Sequence, residues 1–233
     1  MVSIDTIINR QLLKWELQQT EHQDKSSSRR QPLPIVTISR QSGSRGSYFA
    51  SRLAEKLDYQ RLHREVIDTI CKTEGYRKRI IESIDDKFRG QLDLMVEAMI
   101  TGQTVDHTDY LMSLYRIVLS MSQLGGVILI GRGGNFILGP ERGFHIRFIA
   151  PRKKRIENLV NFSEMTEKEA VKYIDNSDAS RKEFIKKLFN ADINDPQKYD
   201  LVINVAYLDI EELLPVVTNA INAKFDKLSH LKN

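Results

Sequence analysis

Short apolar runs alternating with amphipathic segments predict an α/β fold, a parallel sheet with helices on both faces. Three observations carry this. The runs at 35–39, 126–130, 143–150 and 200–204 are apolar almost throughout, as strands buried on both faces are. The segments between them place apolar residues at helical spacing. Glycine-bearing polar turns follow two of the runs, where an open parallel sheet gathers its ligands.

In order, residues 3–19 carry Ile4, Ile7, Ile8, Leu12, Trp15 and Leu17 close to helical spacing. The polar, serine-rich stretch 21–34, closed by Pro32 and Pro34, reads as a linker. The first helix then has an apolar stripe to cover, either on its own core or on a second subunit. The homodimer contact is placed on this stripe, and residues 1–33 are set apart from a domain spanning 34–228. The first strand is expected at 35–39 and the next helix at 47–57, with a short extended piece at 59–62. Helices follow at 64–73, 77–100 and 109–124, punctuated by Gly75 and Gly102. A buried strand at 126–130 runs into the turn Gly131-Arg132-Gly133-Gly134. After the strand at 143–150, Pro151 suits the opening of a helix. Two further helices are expected at 167–176 and 178–189, then a strand at 200–204 and a helix at 210–223.

The composition narrows the class. At 233 residues, 41% hydrophobic and 28% charged, the chain suits one sizeable globular core. The apolar run Val127–Ile130 is far too short to span a bilayer. Charged residues scattered through the first 17 positions give no secretory signal. Cys71 is the one cysteine, which excludes an internal disulfide, fits a reducing cytoplasm and reads as a small core residue. The net charge of +4 calls for no nucleic acid, and a phosphate-bearing small molecule suffices. No strand is basic and aromatic in the manner of a base-stacking surface.

The chemistry concentrates at the strand ends. Ser39-Arg40-Gln41-Ser42-Gly43-Ser44-Arg45-Gly46-Ser47 leads from a strand into a helix, whose first N–H groups are unpaired and carry partial positive charge. A glycine-bearing loop there can close round phosphate oxygens, yet the lysine of G-x-x-x-x-G-K-[ST] is missing. Arg40, Arg45, Arg132, Arg152 and Arg155 are expected around one sheet edge, where guanidinium forks suit phosphate. Asp178 and Arg181 share a helix face. The histidines show no metal-ligand spacing, and no nucleophile–base pair points to hydrolysis.

The loop at 39–46, the strand and turn Val127 to Arg132, the segment from Phe144 to Arg155 and the stretch through 204 together resemble the cytidylate kinase-like family, a branch of the P-loop nucleoside monophosphate kinases. The resemblance covers about residues 34–217. It implies a P-loop kinase-like sheet, an acceptor-holding helical insert at about 63–124 and a lid at about 152–190. ATP with Mg²⁺ and a nucleoside monophosphate, CMP or dCMP, would be the substrates. Gly43, Ser44, Gly46 and Ser47 would hold the phosphates, and Ser47 would touch Mg²⁺. Arg132 and Asp178 would contact the acceptor, while Arg152, Arg155 and Arg181 would close over the transferring group. Aligning on 53–57 puts Gly46 where the lysine should stand, and Ile130 and Gly133 replace acids that flank the arginine. Arg40 or Arg45 would then supply the lost charge, Arg40 being better directed by its strand. A non-catalytic nucleotide sensor is the alternative.

Overall fold

The computed structural model describes residues 3–24, 33–100 and 109–230. Its centre is a five-stranded sheet of β1 (Val36–Arg40), β2 (Gln60–Leu62), β3 (Val127–Ile130), β4 (Phe144–Ile149) and β5 (Leu201–Asn204). All neighbours are parallel, in the order β2-β3-β1-β4-β5. The expected α/β class is therefore what forms. Because every strand runs the same way, all carboxyl ends share one edge. The chain leaves β1 for β2 on one side and later places β4 and β5 on the other, so β1 ends at the switch point where such sheets open a crevice.

Ten helices are described: α1 (Ile4–Asp24), α2 (Gly46–Leu57), α3 (Arg64–Lys72), α4 (Glu74–Glu82), α5 (Asp86–Ile100), α6 (Asp109–Leu124), α7 (Gly134–Leu138), α8 (Arg152–Ser163), α9 (Glu167–Phe189) and α10 (Ile210–His230). Strand β3 shows how the layers are built. Val127 and Leu129 enter the core shared with α1 and α3–α7, whereas Ile128 and Ile130 enter the core under α2 and α10. A period-two chain buried on both faces must be apolar at every position, and this one is.

Three expectations change. The stretch 77–100 is two helices, because Ser83 Oγ turns back to the Arg79 carbonyl at 2.7 Å and Asp85 accepts the Lys87 N–H at 2.9 Å, ending α4 and starting α5. Conversely, 167–189 is one helix opened by a Thr166–Glu169 capping box, with no glycine or proline to stop it. The stripe of α1 is covered by the chain itself: Ile8, Leu12 and Trp15 are buried in the core of α3 and α6, and Trp15 Nε1 donates to the Gly125 carbonyl at 3.0 Å. Most of the stripe expected for a second subunit is therefore covered within the chain, Leu17 alone staying well exposed, and α1 packs as a layer against α3 and α6. The linker residues 25–32 lie outside the described residues, as does Gly102.

Helices α8 and α9 form a hairpin with its own small core of Leu159, Ala170 and Ile174. The far end of α9 returns to the main core through Phe184, Leu188 and Phe189. Cys71 is buried as expected, and burial pushes its thiol up to about 12, which leaves it unreactive.

Candidate functional site

Arg40 is the last residue of β1, level with Phe148 of β4. Its Nε donates to Ser47 Oγ at 3.3 Å. A Cβ at Gly131, in the turn after β3, would stand 3.1 Å from Arg40 Nη1, so the guanidinium lies against that turn. Desolvation, reinforced by the neighbouring Arg181, lowers its pKa to about 10. Among the described residues no carboxylate pairs with it, and Glu65 acts on it only at a distance. A cation held in protein without a counter-ion is a place prepared for an anion.

The loop after Arg40 delivers the chain into α2. Arg45 occupies the N-cap with φ 58° and offers no side-chain bond to the first N–H groups of the helix. Gly43 and Gly46 are required by the protein itself. A Cβ on Gly43 would fall 2.3 Å from the Arg155 carbonyl oxygen, and φ there is +79°. One on Gly46 would meet Arg40 Cβ at 2.9 Å and Phe148 Cβ at 3.0 Å. Bulk at either position disturbs packing before it can obstruct a phosphate. Gly46→Ala is accordingly expected to cost about 1–3 kcal/mol of stability, read as a lowered urea midpoint; an unchanged midpoint would show that the sheet edge yields easily. Ser44 is turned inward, its hydroxyl donating to the Gln41 carbonyl at 2.8 Å.

The α8–α9 hairpin sits on this loop through polar contacts. Asp178 accepts from the Ser42 N–H at 2.9 Å, from Arg155 Nη1 at 2.6 Å and from Arg181 Nη1 at 3.1 Å. Arg181 also donates to Ser42 Oγ at 2.8 Å, and Asn158 Nδ2 to the Gly43 carbonyl at 2.8 Å. The buried Arg155 Nε has no acceptor among the described residues. Asp178 and Arg181 thus converge with Arg155 as the sequence suggests, but on the loop; Asp178 is a loop ligand here and stands on no acceptor-side group. The Asn158 contact gave no sequence signal.

Two expected guanidinium groups are engaged elsewhere. Arg45, which has a left-handed backbone, lies 4.7 and 4.3 Å from the centroids of the Tyr48 and Phe162 rings. Arg152 is held by Asp175 in a bidentate pair of 2.6 and 2.9 Å on the exposed outer side of the hairpin. Ser47 also fails as a metal ligand as it stands. Its hydroxyl receives a guanidinium N–H, and a cation 3.3 Å away opposes a second cation there. Among the described residues no cluster of acidic, histidine or cysteine side chains could hold a metal ion. The residues do not fit a protein-held Mg²⁺.

On the β3 side, Arg132 has φ 53° in the turn after the strand. Its Nε donates to Asp68 Oδ1 of α3 at 2.7 Å, and its Nη2 bonds Asp68 Oδ2. Tyr110 of α6 donates to the same Asp68 Oδ1 at 2.7 Å, and Phe184 of α9 lies 4.8 Å from the guanidinium. Burial works against the Asp68 charge, but the bonds from Arg132 and Tyr110 outweigh it and hold the carboxyl below its usual range. Asp68 was missed from sequence because it stands 64 residues from its partner on an unremarkable amphipathic helix.

A cavity of about 610 Å³ lies elsewhere, against α7, lined among others by Tyr115, Asn135, Phe136, Phe189 and Tyr199. None of residues 40–47 borders it. His145 on its wall is neutral in character: burial lowers its pKa, Thr37 Oγ1 lies 2.8 Å from Nδ1, and the Gly139 carbonyl lies 2.7 Å from Nε2. The polar strand ends, rather than this cavity, hold the concentration of cations.

The model of the cytidylate kinase-like family matches residues 35–207, three-quarters of the chain and the whole sheet. The chain belongs to that family. A solved structure of an uncharacterised protein from Eubacterium ventriosum is similar over 83% of this chain and 99% of its own, with 18% identity and a TM-score of 0.63. That likeness concerns the fold. Shikimate kinase from Acinetobacter baumannii aligns over 83% of this chain and 95% of its own at 10% identity, with a TM-score of 0.42. A stretch of 111 residues, 47% of this chain, is 33% identical to part of a uronate isomerase from Corynebacterium glutamicum. The chain spans 21% of that relative's length. Membership in the cytidylate kinase-like family suggests nucleotide-binding phosphotransfer. Among the described residues no helix is long and apolar enough to cross a membrane.

Proposed function

We propose that this member of the cytidylate kinase-like family binds ATP at the carboxyl end of β1 and transfers its γ-phosphoryl group to a nucleoside monophosphate, CMP or dCMP first. The observation that carries the reading is Arg40, a desolvated cation with no carboxylate partner among the described residues, beside the uncapped start of α2. A triphosphate supplies the missing negative charge and accepts the open N–H groups. Arg40 replaces the charge of the absent lysine, and Arg155 and Arg181 exchange Asp178 for phosphate oxygens. Arg132 orients the acceptor. An oxygen of the acceptor phosphate attacks the γ-phosphorus and the bond to the β-phosphate oxygen breaks, giving a nucleoside diphosphate and ADP. The acceptor phosphate is already ionised, so no protein base has to take a proton. Such transfer rests on positioning and charge neutralisation, which these residues provide.

One observation favours a second reading. Gly46 stands at the lysine position and is sealed by Arg40 and Phe148, so no side chain can reach the phosphates from there. A chain that binds nucleotide without transferring phosphate would tolerate this. Mixing CMP, dCMP, UMP, AMP and GMP separately with ATP and Mg²⁺, and resolving products by chromatography, separates the two. Diphosphate from CMP or dCMP is the expected result. ATP binding without product from any acceptor supports the sensor; absence of ATP binding overturns both.

A further inference from the structure

We propose that Asp68 is a positioning residue, held by Tyr110, that fixes Arg132 as the receptor for the phosphate of a nucleoside monophosphate; this rests on the reading of the chain as a nucleotide-dependent kinase. Arginine has five N–H donors in a rigid fork. Asp68 takes the Nε–H and one Nη2–H, along one edge. Three donors remain, and two of them, one on Nη1 and one on Nη2, share the end edge of the fork, enough for a bidentate grip on a phosphate.

The surroundings restrict the fork further. Its backbone is pinned in a left-handed turn between Gly131 and Gly133, both of which also have positive φ. Its flat face lies 4.8 Å from the Phe184 ring. Tyr110 spends its hydroxyl on Asp68 at 2.7 Å, so the carboxylate is itself held. Elements α3, α6 and α9 therefore meet on one guanidinium. That guanidinium follows Gly131, whose Cβ position lies 3.1 Å from Arg40 Nη1. Arg40 thus packs on the turn that carries Arg132, so both proposed phosphate sites stand at the same edge of the sheet, as phosphoryl transfer demands. A plain structural ion pair would need neither the left-handed backbone nor the phenol.

The test reads the guanidinium directly. In the full chain labelled with ¹⁵N-arginine, the Arg132 Nε–H resonance is assigned by its loss in Arg132→Lys and followed as CMP or cytidine is added. ATP affinity is measured in parallel by calorimetry. The expected result is a shift with CMP and none with cytidine, which lacks the phosphate. Asp68→Asn is expected to average the resonance and weaken CMP binding about tenfold or more, with ATP affinity within twofold of wild type. Tyr110→Phe, which removes no charge, should act in the same direction more weakly. CMP binding in Asp68→Asn equal to or tighter than wild type would overturn the assignment, as would equal losses for CMP and ATP. A wild-type resonance unmoved by all five monophosphates, with ATP still bound, overturns the roles of Arg132 and Asp68 alone. Failure of the wild type to bind ATP overturns the kinase reading beneath them.

Discussion

Arg40→Ala is expected to cut phosphoryl transfer by at least about a hundredfold, roughly 2.7 kcal/mol of barrier, while leaving the fold as stable as before or more stable. The two effects have one cause. In the unliganded protein the guanidinium is desolvated, feels Arg181 and pairs with no acid among the described residues, which is why its pKa falls to about 10. Removing it relieves that cost, while the Cβ that packs against Gly46 is kept. Arg40→Lys should restore only part of the activity, because an ammonium lacks the planar fork. The pH dependence has a definite sign. A cation with a lowered folded-state pKa penalises the fold fully below that pKa. Above about 10 the folded chain has released a proton that the unfolded chain still holds, so the penalty starts to shrink there and is gone only beyond the higher, ordinary arginine value of the unfolded chain. The melting temperature of Arg40→Ala should therefore exceed that of wild type near pH 8, with the gap closing as pH passes about 10. Triphosphate binding by the wild type should weaken over the same interval. An Arg40→Ala protein with full activity would remove Arg40 from the site.

Deleting residues 1–24 is expected to abolish cooperative folding, the second large effect. Ile8, Leu12 and Trp15 are each at most 2% exposed and belong to the main core. Burial of such side chains stabilises by about 1.5–3 kcal/mol each, so their joint loss approaches the whole stability of an ordinary domain, about 5–15 kcal/mol. The Gly125 carbonyl also loses the indole donor. The exposed pair of Lys14 and Asp58 adds little. Trp15→Ala alone should cost about 3–5 kcal/mol. Trp15 is the chain's one tryptophan, so its fluorescence in a urea titration reports α1 docking directly. Coincidence of that signal with circular dichroism is expected. An earlier fluorescence transition, or a soluble folded core after truncation, would show that α1 is dispensable.

Strand β3 was legible because it is apolar along its whole length, a pattern that burial on both faces imposes, whereas β2, Gln60–Leu62, showed only as a short extended piece. Arg40 was legible because it ends a strand, where side-chain direction is fixed. What escaped the sequence is pairing across distance. Asp178 reaches the Ser42 N–H from 136 residues away, and no local pattern announces it. Arg45 escaped because its partner rings include Phe162, more than a hundred residues away, and its left-handed backbone follows no strand or helix pattern. The stripe on α1 showed that the helix must be covered, but periodicity names a face and never its neighbour.

The bond from Trp15 to Gly125 also constrains the order of events during synthesis. Its partners are 110 residues apart, so at about 5–20 residues per second the helix waits roughly 6–22 s for its seat to be made. Through that interval Ile8, Leu12 and Trp15 can meet α3 and α4 but not α6, so only part of their native seat exists. The nascent chain therefore carries the apolar stripe of α1 incompletely covered until α6 and the turn after it emerge.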